Sequence, residues 1–320
     1  MKTAIRSIAV AMLVLSAGPV LAQTYPAKSI SFVVPFAAGS ATDQIARAIG
    51  QSVAEQGKQP VVIENKPGAS GFIAAQAVAT APADGYTVLI TTNTTHAANE
   101  HLYKKLPYDP VKDFVPITLL GKGGQVMIVN PKVPANTVME FVALAKKQPG
   151  KLTFGSGSSS SRIAGELLQQ MAGIDILHVP YKSNPLAITD LLGGQIDMMI
   201  TDTTTGIPQV KAGKVRALGV TAVKRSVLVP ESPTIDEAGV KGYEMGYWFA
   251  AYVPAKTPPA VIAKLHEMMV AATKSESARK FYETTGTDVA TSSSDELAKF
   301  QALESAKWGR IVKAAKIEAE

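Results

Sequence analysis

The sequence predicts an α/β protein folded in two lobes, with a ligand cleft between them. Three observations carry this. Short apolar, β-rich runs alternate with helical stretches along the chain, the rhythm of a parallel sheet with helices on both faces. The runs are too many for one comfortable sheet, so two α/β units fit better than one. Polar, glycine-rich stretches at Gly121-Lys122-Gly123-Gly124 and at 242–246 offer two crossings between the units. With two crossings the C-terminal helices return to the first lobe. The expected division is 23–122 plus 247–320 for lobe 1 and 123–246 for lobe 2.

The elements follow in order. Residues 30–34 (ISFVV) read as a buried strand. Residues 43–55 read as a helix, with Ile45, Ala46, Ile49 and Val53 on one face. A strand at 61–63, a helix at 72–80 and a strand at 86–90 repeat the unit. Further on come a strand at 126–129, a helix at 137–147 stopped by Pro149-Gly150, a strand at 152–154 and a helix at 162–171. Then come a strand at 176–179, a short helix at 186–192, and strands at 198–200 and 217–220. From Pro259 onward three helices are expected, at 259–273, 277–285 and 295–315. Gly286 and Ser292-Ser293-Ser294 separate them, and Asp295 serves as N-cap of the last.

Residues 1–22 read as a signal peptide. Lys2 and Arg6 precede an apolar run at 8–15, Ser16-Ala17-Gly18-Pro19 breaks it, and Val20-Leu21-Ala22 supplies small residues for cleavage. The run is too short to cross a bilayer of ~30 Å. Its removal takes two cations from the 32 Lys and Arg, leaving 30 against 26 acidic residues. That weak positive balance favours anionic partners. No Lys/Arg cluster has the density of a nucleic-acid patch, so no nucleic acid is expected. The exported chain is expected to be soluble, periplasmic and monomeric.

Catalytic signatures are missing. The chain has no Cys, which excludes disulfides, iron–sulfur clusters, thiolate zinc sites and cysteine nucleophiles. No Ser lies in a G-x-S-x-G elbow. There is no phosphate-binding G-x-x-x-x-G-K-[ST] and no complete G-x-G-x-x-G. His96, His101, His178 and His266 are scattered, and His266-Glu267 is followed by Met-Met-Val rather than by a second zinc ligand. No metal, no cofactor and no catalysis are expected.

What remains is a set of small, polar loops at strand-to-helix turns: 35–43, 67–71 and 155–162. Exposed N–H groups at a helix start, helped by the helix dipole, bind anions without a Lys. Ser, Thr and Asp before a helix also act simply as caps, and Gly in such a turn can serve the turn alone. Several such loops in one α/β chain favour binding, because open α/β sheets take ligands beyond the C-terminal ends of their strands.

Longer motifs now become recognisable. They include Tyr25-Pro26-Ala27-Lys28, Val34-Pro35-Phe36, Glu64-Asn65-Lys66-Pro67-Gly68-Ala69-Ser70-Gly71 and Asp84-Gly85-Tyr86. Leu106-Pro107-Tyr108-Asp109-Pro110, His178-Val179-Pro180-Tyr181-Lys182 and Asp190-Leu191-Leu192-Gly193-Gly194-Gln195 continue the set. With them the chain resembles, over nearly its whole mature length, the extracytoplasmic solute-binding receptors of the Bug/TctC family, which serve tripartite tricarboxylate transporters. The resemblance implies a two-lobed periplasmic-binding-protein fold, type II-like, that closes on its ligand. It implies that amides, hydroxyls and ordered water of the first-lobe loop hold one ligand carboxylate, here at Phe36, Ala38, Gly39, Ser40 and Asp43. Facing them would stand Ser156, Ser158, Ser159, Ser161 and Arg162, with Tyr181 and Asp202 beside them.

Structural roles compete at several of these positions. Asp43 suits an N-cap, Tyr181 core packing with its hydroxyl at the cleft edge, and Asp202 either the pocket or the cap of a following helix. Trp248 reads better as packing at a lobe crossing than as a cleft wall. Two departures from the family pattern fall where the far end of a ligand would be read. Arg162-Ile163 replaces a frequent His-Leu before Ala164-Gly165-Glu166, and Ser183 replaces a Gly.

The function implied is capture of a small carboxylate for the membrane subunits of a transporter. A di- or tricarboxylate comes first, since Arg162 would take a second carboxylate through paired hydrogen bonds. Phe36, Tyr181, Tyr247 and Trp248 leave room for an aromatic dicarboxylate. The alternative is a ligand sensor for a two-component signalling system. A cation at a helix start opposes the dipole, so Arg162 is expected to face a counter-anion, either the ligand or Glu166.

Overall fold

The computed structural model describes residues 25–320, so the signal-peptide reading of 1–22 lies outside the described residues. The first half opens with β1 (Ile30–Val34), α1 (Ala41–Gly57), β2 (Val61–Asn65), α2 (Phe72–Ala79) and β3 (Thr87–Thr92). A π-helical turn, Thr94–Ala98, and a short helix α3 (Asn99–Leu102) lead into β4 (Phe114–Val129). The second half runs α4 (Val138–Lys147), β5 (Thr153–Ser156), α5 (Ser159–Ala172), β6 (Leu177–Pro180), α6 (Asn184–Gly193), β7 (Met198–Asp202), α7 (Thr203–Lys211) and β8 (Arg216–Val220). Strand β9 (Gly246–Pro254) returns to the first half, and α8 (Pro259–Ala272), α9 (Glu276–Thr285) and α10 (Ser294–Ala314) follow.

The lobes are joined by backbone. β4 is 16 residues long and changes partners midway. Residues 114–124 run antiparallel to β9, with Phe114 opposite Pro254 and Gly124 opposite Gly246. Residues 125–129 pair instead with β7 and β8. The glycine-rich 121–124, expected as a crossing, is strand, and β4 changes partners directly after it. The expected parallel sheets become one mixed sheet of nine strands, eight in the order β2-β1-β3-β9-β4-β7-β5-β6 and β8 branching from β4. β1 pairs in parallel with β2 and β3, and β5 with β6 and β7, while β4 and β9 form an antiparallel spine. The strands share one sheet and still form two lobes, because β4 serves both and so removes the edge at which two sheets would separate.

Alternation places neighbouring residues on opposite faces. Phe32 and Val34 pack with Ile45, Ile49 and Leu265 on one side of the first lobe, while Val33 and Leu89 meet Ala74, Val78 and Trp308 on the other. In the second lobe Val126 and Ile128 face Leu191 and Ile207, while Met127 and Val129 face Phe141 and Leu168. Helices thus cover both faces of both halves. The last helix is capped by Ser293, not by Asp295. The Ser293 hydroxyl accepts from Glu296 N, and Glu296 reaches back to Ser293 N in a complete capping box. Trp248 is fully buried and meets Phe300 edge-on at 5.6 Å. Among the described residues no helix is long and apolar enough to cross a membrane.

Candidate ligand cleft

The strand order decides where a site can form. The loops after β1, β5 and β7 come to one cavity beside the β4–β9 spine. Phe36, Ser40, Ala41 and Thr42 line it from the first lobe, with Thr92 and Asn93 at the end of β3. Gly157, Ser158 and Ser160 line it from the second lobe, with Asn184 and Asp202. Gln125, Tyr247 and Phe249 of the spine complete the wall. The cavity they enclose is small, about 30 Å³.

Helix starts dominate the lining. Ser40 caps α1 and accepts from Asp43 N at 3.3 Å; Ser158 caps α5 and accepts from Ser161 N at 3.2 Å. Each start leaves N–H groups without partners inside its helix and carries partial positive charge. A short polar relay then ties three starts of the second lobe together. Gly157 N donates to Asn184 Oδ1 at 3.0 Å, and Asn184 Nδ2 donates to Asp202 Oδ2 at 2.8 Å. Asp202 in turn caps α7, accepting from Thr205 N at 2.8 Å.

Among the described residues no Lys, Arg or His lines this cavity, and Asp202 and Tyr247 are its ionisable side chains. Burial raises the Asp202 pKa, against hydrogen bonds from Asn184 and Thr205 that lower it. Burial also pushes Tyr247 up to about 12, so its hydroxyl stays protonated at neutral pH while bonded to Thr203 and Thr287. Asn93 Oδ1 and Gln125 Oε1 are buried with no partner among the described residues. An amide turned by half a rotation offers a donor in place of an acceptor, so both can serve a bound molecule.

The other expected residues fall elsewhere. Ala38 and Gly39 are exposed on the loop before α1. Asp43 is buried behind it, accepting from Gly39 N at 2.9 Å, Asn65 Nδ2 at 3.0 Å and Arg47 at 2.9 and 3.0 Å. Its carboxylate is saturated within its own lobe. Burial alone would raise its pKa; the hydrogen bonds from Arg47, Gly39 and Asn65 outweigh that and hold it below the usual carboxylate value. The Ser161 hydroxyl is fully buried against the carbonyl of Ile200.

Ser156, Ser159, Arg162 and Tyr181 line a second cavity, which shares Ser158 with the first. There Arg162 Nη1 meets Glu320 Oε1 at 2.6 Å. Of the two expected counter-anions, the ligand and Glu166, Glu166 is not its ion-pair partner; that carboxylate is bonded by Gln169 Nε2 at 2.9 Å. Tyr181 donates to Asp190 at 2.7 Å and is not part of the first cavity's lining.

The sequence reading missed Thr42, Thr92, Asn93, Gln125, Ser160, Asn184 and Phe249. Thr42 and Ser160 lay inside loops already singled out. Asn184 opens a helix before Pro185 and carried a capping signal, but the chain gave nothing to connect it with Gly157. Gln125 and Phe249 belong to the spine, whose strands were largely unread. Among the described residues no three His, Cys, Asp or Glu stand together as a metal site.

A two-lobed α/β fold with helix starts converging on a cleft is the architecture of a solute-binding protein. The family model described as "Tripartite tricarboxylate transporter family receptor" matches residues 45–317, and the chain belongs to that family, the Bug/TctC receptors. It is 32% identical over 300 residues to Protein BugT of Bordetella pertussis, covering 93% of this chain and 92% of that protein. Rpa4515 of R. palustris, solved with adipate, is 33% identical with a TM-score of 0.89, covering 92% of this chain and 100% of that one. MatC of Rhodopseudomonas palustris, solved with bound malate, is 31% identical with a TM-score of 0.86, covering 90% and 100%.

Proposed function

We propose that this receptor captures a small carboxylate, first a di- or tricarboxylate, and presents it in the periplasm to the membrane subunits of a tripartite tricarboxylate transporter. It performs no chemistry on the ligand. The observation that carries this reading is the meeting of two helix starts, Ser40–Thr42 and Gly157–Ser160, in one cavity lined without Lys, Arg or His. Such a place suits an anion held by N–H groups and hydroxyls. Relatives solved with adipate and malate support the ligand class. Phe36, Tyr247 and Phe249 on the wall give an aromatic dicarboxylate a surface to lie on.

In this reading Phe36, Ser40, Thr42, Ser158, Ser160 and Asp202 touch or face the ligand, and Asn93 and Gln125 complete its hydrogen bonds. Asp43 and Ser161 hold the two loops in shape, with Ala38 and Gly39 forming the outer turn. The lobes are 23–122 plus 247–320 and 123–246, with the partner exchange of β4 at Gly124 and Gln125 beside the first crossing.

A thermal-shift screen of carboxylates against their uncharged amides tests the reading. A cognate acid at 100 times its dissociation constant adds ~2.7 kcal/mol of stability. The amides should add almost nothing. Equal shifts from acids and amides, or none from any acid, would overturn it.

A further inference from the structure

We propose that the cavity around Arg162 is a second carboxylate subsite of the cleft, held in this structure by the side chain of Glu320, and that a ligand's distal carboxylate displaces Glu320 from Arg162. This rests on the carboxylate-receptor reading above and says which carboxylates the site takes.

Ser158 lines both cavities. Arg162 follows Ser158 by one helical turn, so a ligand running along the start of α5 passes from the first cavity toward the guanidinium. The Arg162 side chain is 17% exposed, while that of Glu320 is 58% exposed. Glu320 uses Nη1 alone, at 2.6 Å. Arg162 Nε is buried with no partner among the described residues. A guanidinium offers five donors in a fixed fork, and this one is underused. Ser156, Tyr103 and His178 add polar groups to the same wall.

Glu320 belongs to the other lobe. Its backbone is tied to the end of α3, with Glu320 N donating to Leu102 O at 2.9 Å and Lys104 N donating to Glu320 O at 2.8 Å. The chain thus already places a carboxylate against Arg162 across the cleft. Because that carboxylate is mostly solvated, its hold is that of a surface ion pair and weak. A ligand carboxylate arriving from the enclosed side would be less hydrated and free to take the unused donors. Displacement is therefore favoured for a ligand long enough to reach, and a ligand with one carboxylate leaves Glu320 in place.

Calorimetric titration of the full chain tests this with succinate, adipate and suberate, and with butyrate, hexanoate and octanoate as matched monocarboxylates. The unaltered protein is compared with Glu320→Gln and Arg162→Gln, each checked for folding by thermal melting. One dicarboxylate should bind at least roughly tenfold more tightly than its matched monocarboxylate. Arg162→Gln should erase that preference. Glu320→Gln removes the competitor, so it should raise affinity for that dicarboxylate roughly twofold to fivefold and leave the monocarboxylate unchanged. If Glu320→Gln weakens both ligands alike, Glu320 is a latch between lobes and the subsite is overturned. No change for either ligand overturns it as well. Should Arg162→Gln not fold, the exposed Glu320→Gln alone decides. Dicarboxylates bound no better than monocarboxylates sink the subsite but keep the receptor reading, whereas no carboxylate binding at all sinks both.

Discussion

Ser159 Oγ donates a hydrogen bond to Asn99 Oδ1 at 2.7 Å, and both residues are buried. Asn99 is fixed in the first lobe by donating to Ser70 O at 2.9 Å and to the Tyr108 hydroxyl at 3.2 Å. Ser159 opens α5 in the second lobe. The bond therefore exists only while the lobes are together, and a ligand that bridges them draws on it through differential affinity for the closed state. Ser159→Ala leaves a buried acceptor unpaired, a loss of about 1–3 kcal/mol. Affinity for any ligand should fall roughly tenfold or more, since 1.4 kcal/mol is a factor of ten. Small-angle scattering should show that more ligand is needed to reduce the radius of gyration. A variant that binds and contracts like the parent removes this bond from the closure mechanism.

Gly157 makes the second-lobe wall possible. A Cβ there would sit 1.9 Å from the carbonyl carbon of Ser183 and 2.1 Å from Asn184 N. These are backbone atoms, so the starts of α5 and α6 would have to separate. Gly157→Ala should cost about 1–3 kcal/mol through overpacking, or more. It should also break the Gly157–Asn184–Asp202 relay and so depress binding beyond what the lost stability explains. Chemical denaturation and titration on one preparation separate the two effects. Native-like affinity with normal stability would mean that the loops have room to move apart.

Asp43 offers the opposite case, a residue of the anion loop whose carboxylate is spent inside the protein. Asp43→Ala leaves Gly39 N and Asn65 Nδ2 without their acceptor, while Arg47, half exposed, can turn to water. A loss of about 1.5–3 kcal/mol of stability is expected from charged hydrogen bonds of this kind. Binding should weaken only as far as the loop loosens. A denaturation midpoint equal to that of the parent would show that the loop is held by other contacts.

Legibility followed the range of the interactions. α1, α2 and the three C-terminal helices were readable because Ile45, Ile49 and their kind repeat at helical spacing, and periodicity is local. β9 was not, although Gly246–Pro254 is buried along most of its length. An unbroken apolar run in a spine strand has no period to detect. Residues 114–125 of β4 were not read as strand either, since Gly121, Gly123 and Gly124 marked only a crossing. In the fold, Gly123 faces the Tyr247 ring at a distance no Cβ would allow. Helix α7 was legible only as the helix that Asp202 would cap, because Thr203-Thr204-Thr205 has poor helix propensity and set no bounds for it. It forms because Asp202 caps it and the spine buries it. For the site, the loops could be seen but not the partners. The sequence placed Arg162 beside Glu166, while its partner Glu320 stands 158 residues away.

The last expectation concerns acid. His96 is fully buried, stacked on Tyr252 with ring centroids 3.9 Å apart and edge-on to Phe114 at 4.7 Å. Its Nδ1 lies 2.9 Å from Thr95 Oγ1, and Nε2 has no partner among the described residues. Water cannot reach a charge there, and burial lowers its pKa to about 3 from an ordinary 6.5. His178 is lowered to about 4, by burial first and then by the Arg162 charge. The unfolded chain therefore takes up protons near 6.5 that the folded chain refuses. Stability from this source is complete above pH 6.5 and is lost as pH falls toward 4 and then 3. The slope is about 1.4 kcal/mol per pH unit for His96, and less for the partly exposed His178, where solvent screens the charge. Asp202, raised by burial, works in the other direction over part of the same range, so a single pH profile mixes the signs. Comparison with His96→Phe isolates the term. The ring still packs against Tyr252, the lost Thr95 bond costs about 1 kcal/mol at pH 7, and the variant should fall less steeply below pH 6.5. Urea denaturation of both proteins between pH 7 and pH 4 measures the two slopes, and parallel curves would show that His96 takes a proton without unfolding the chain.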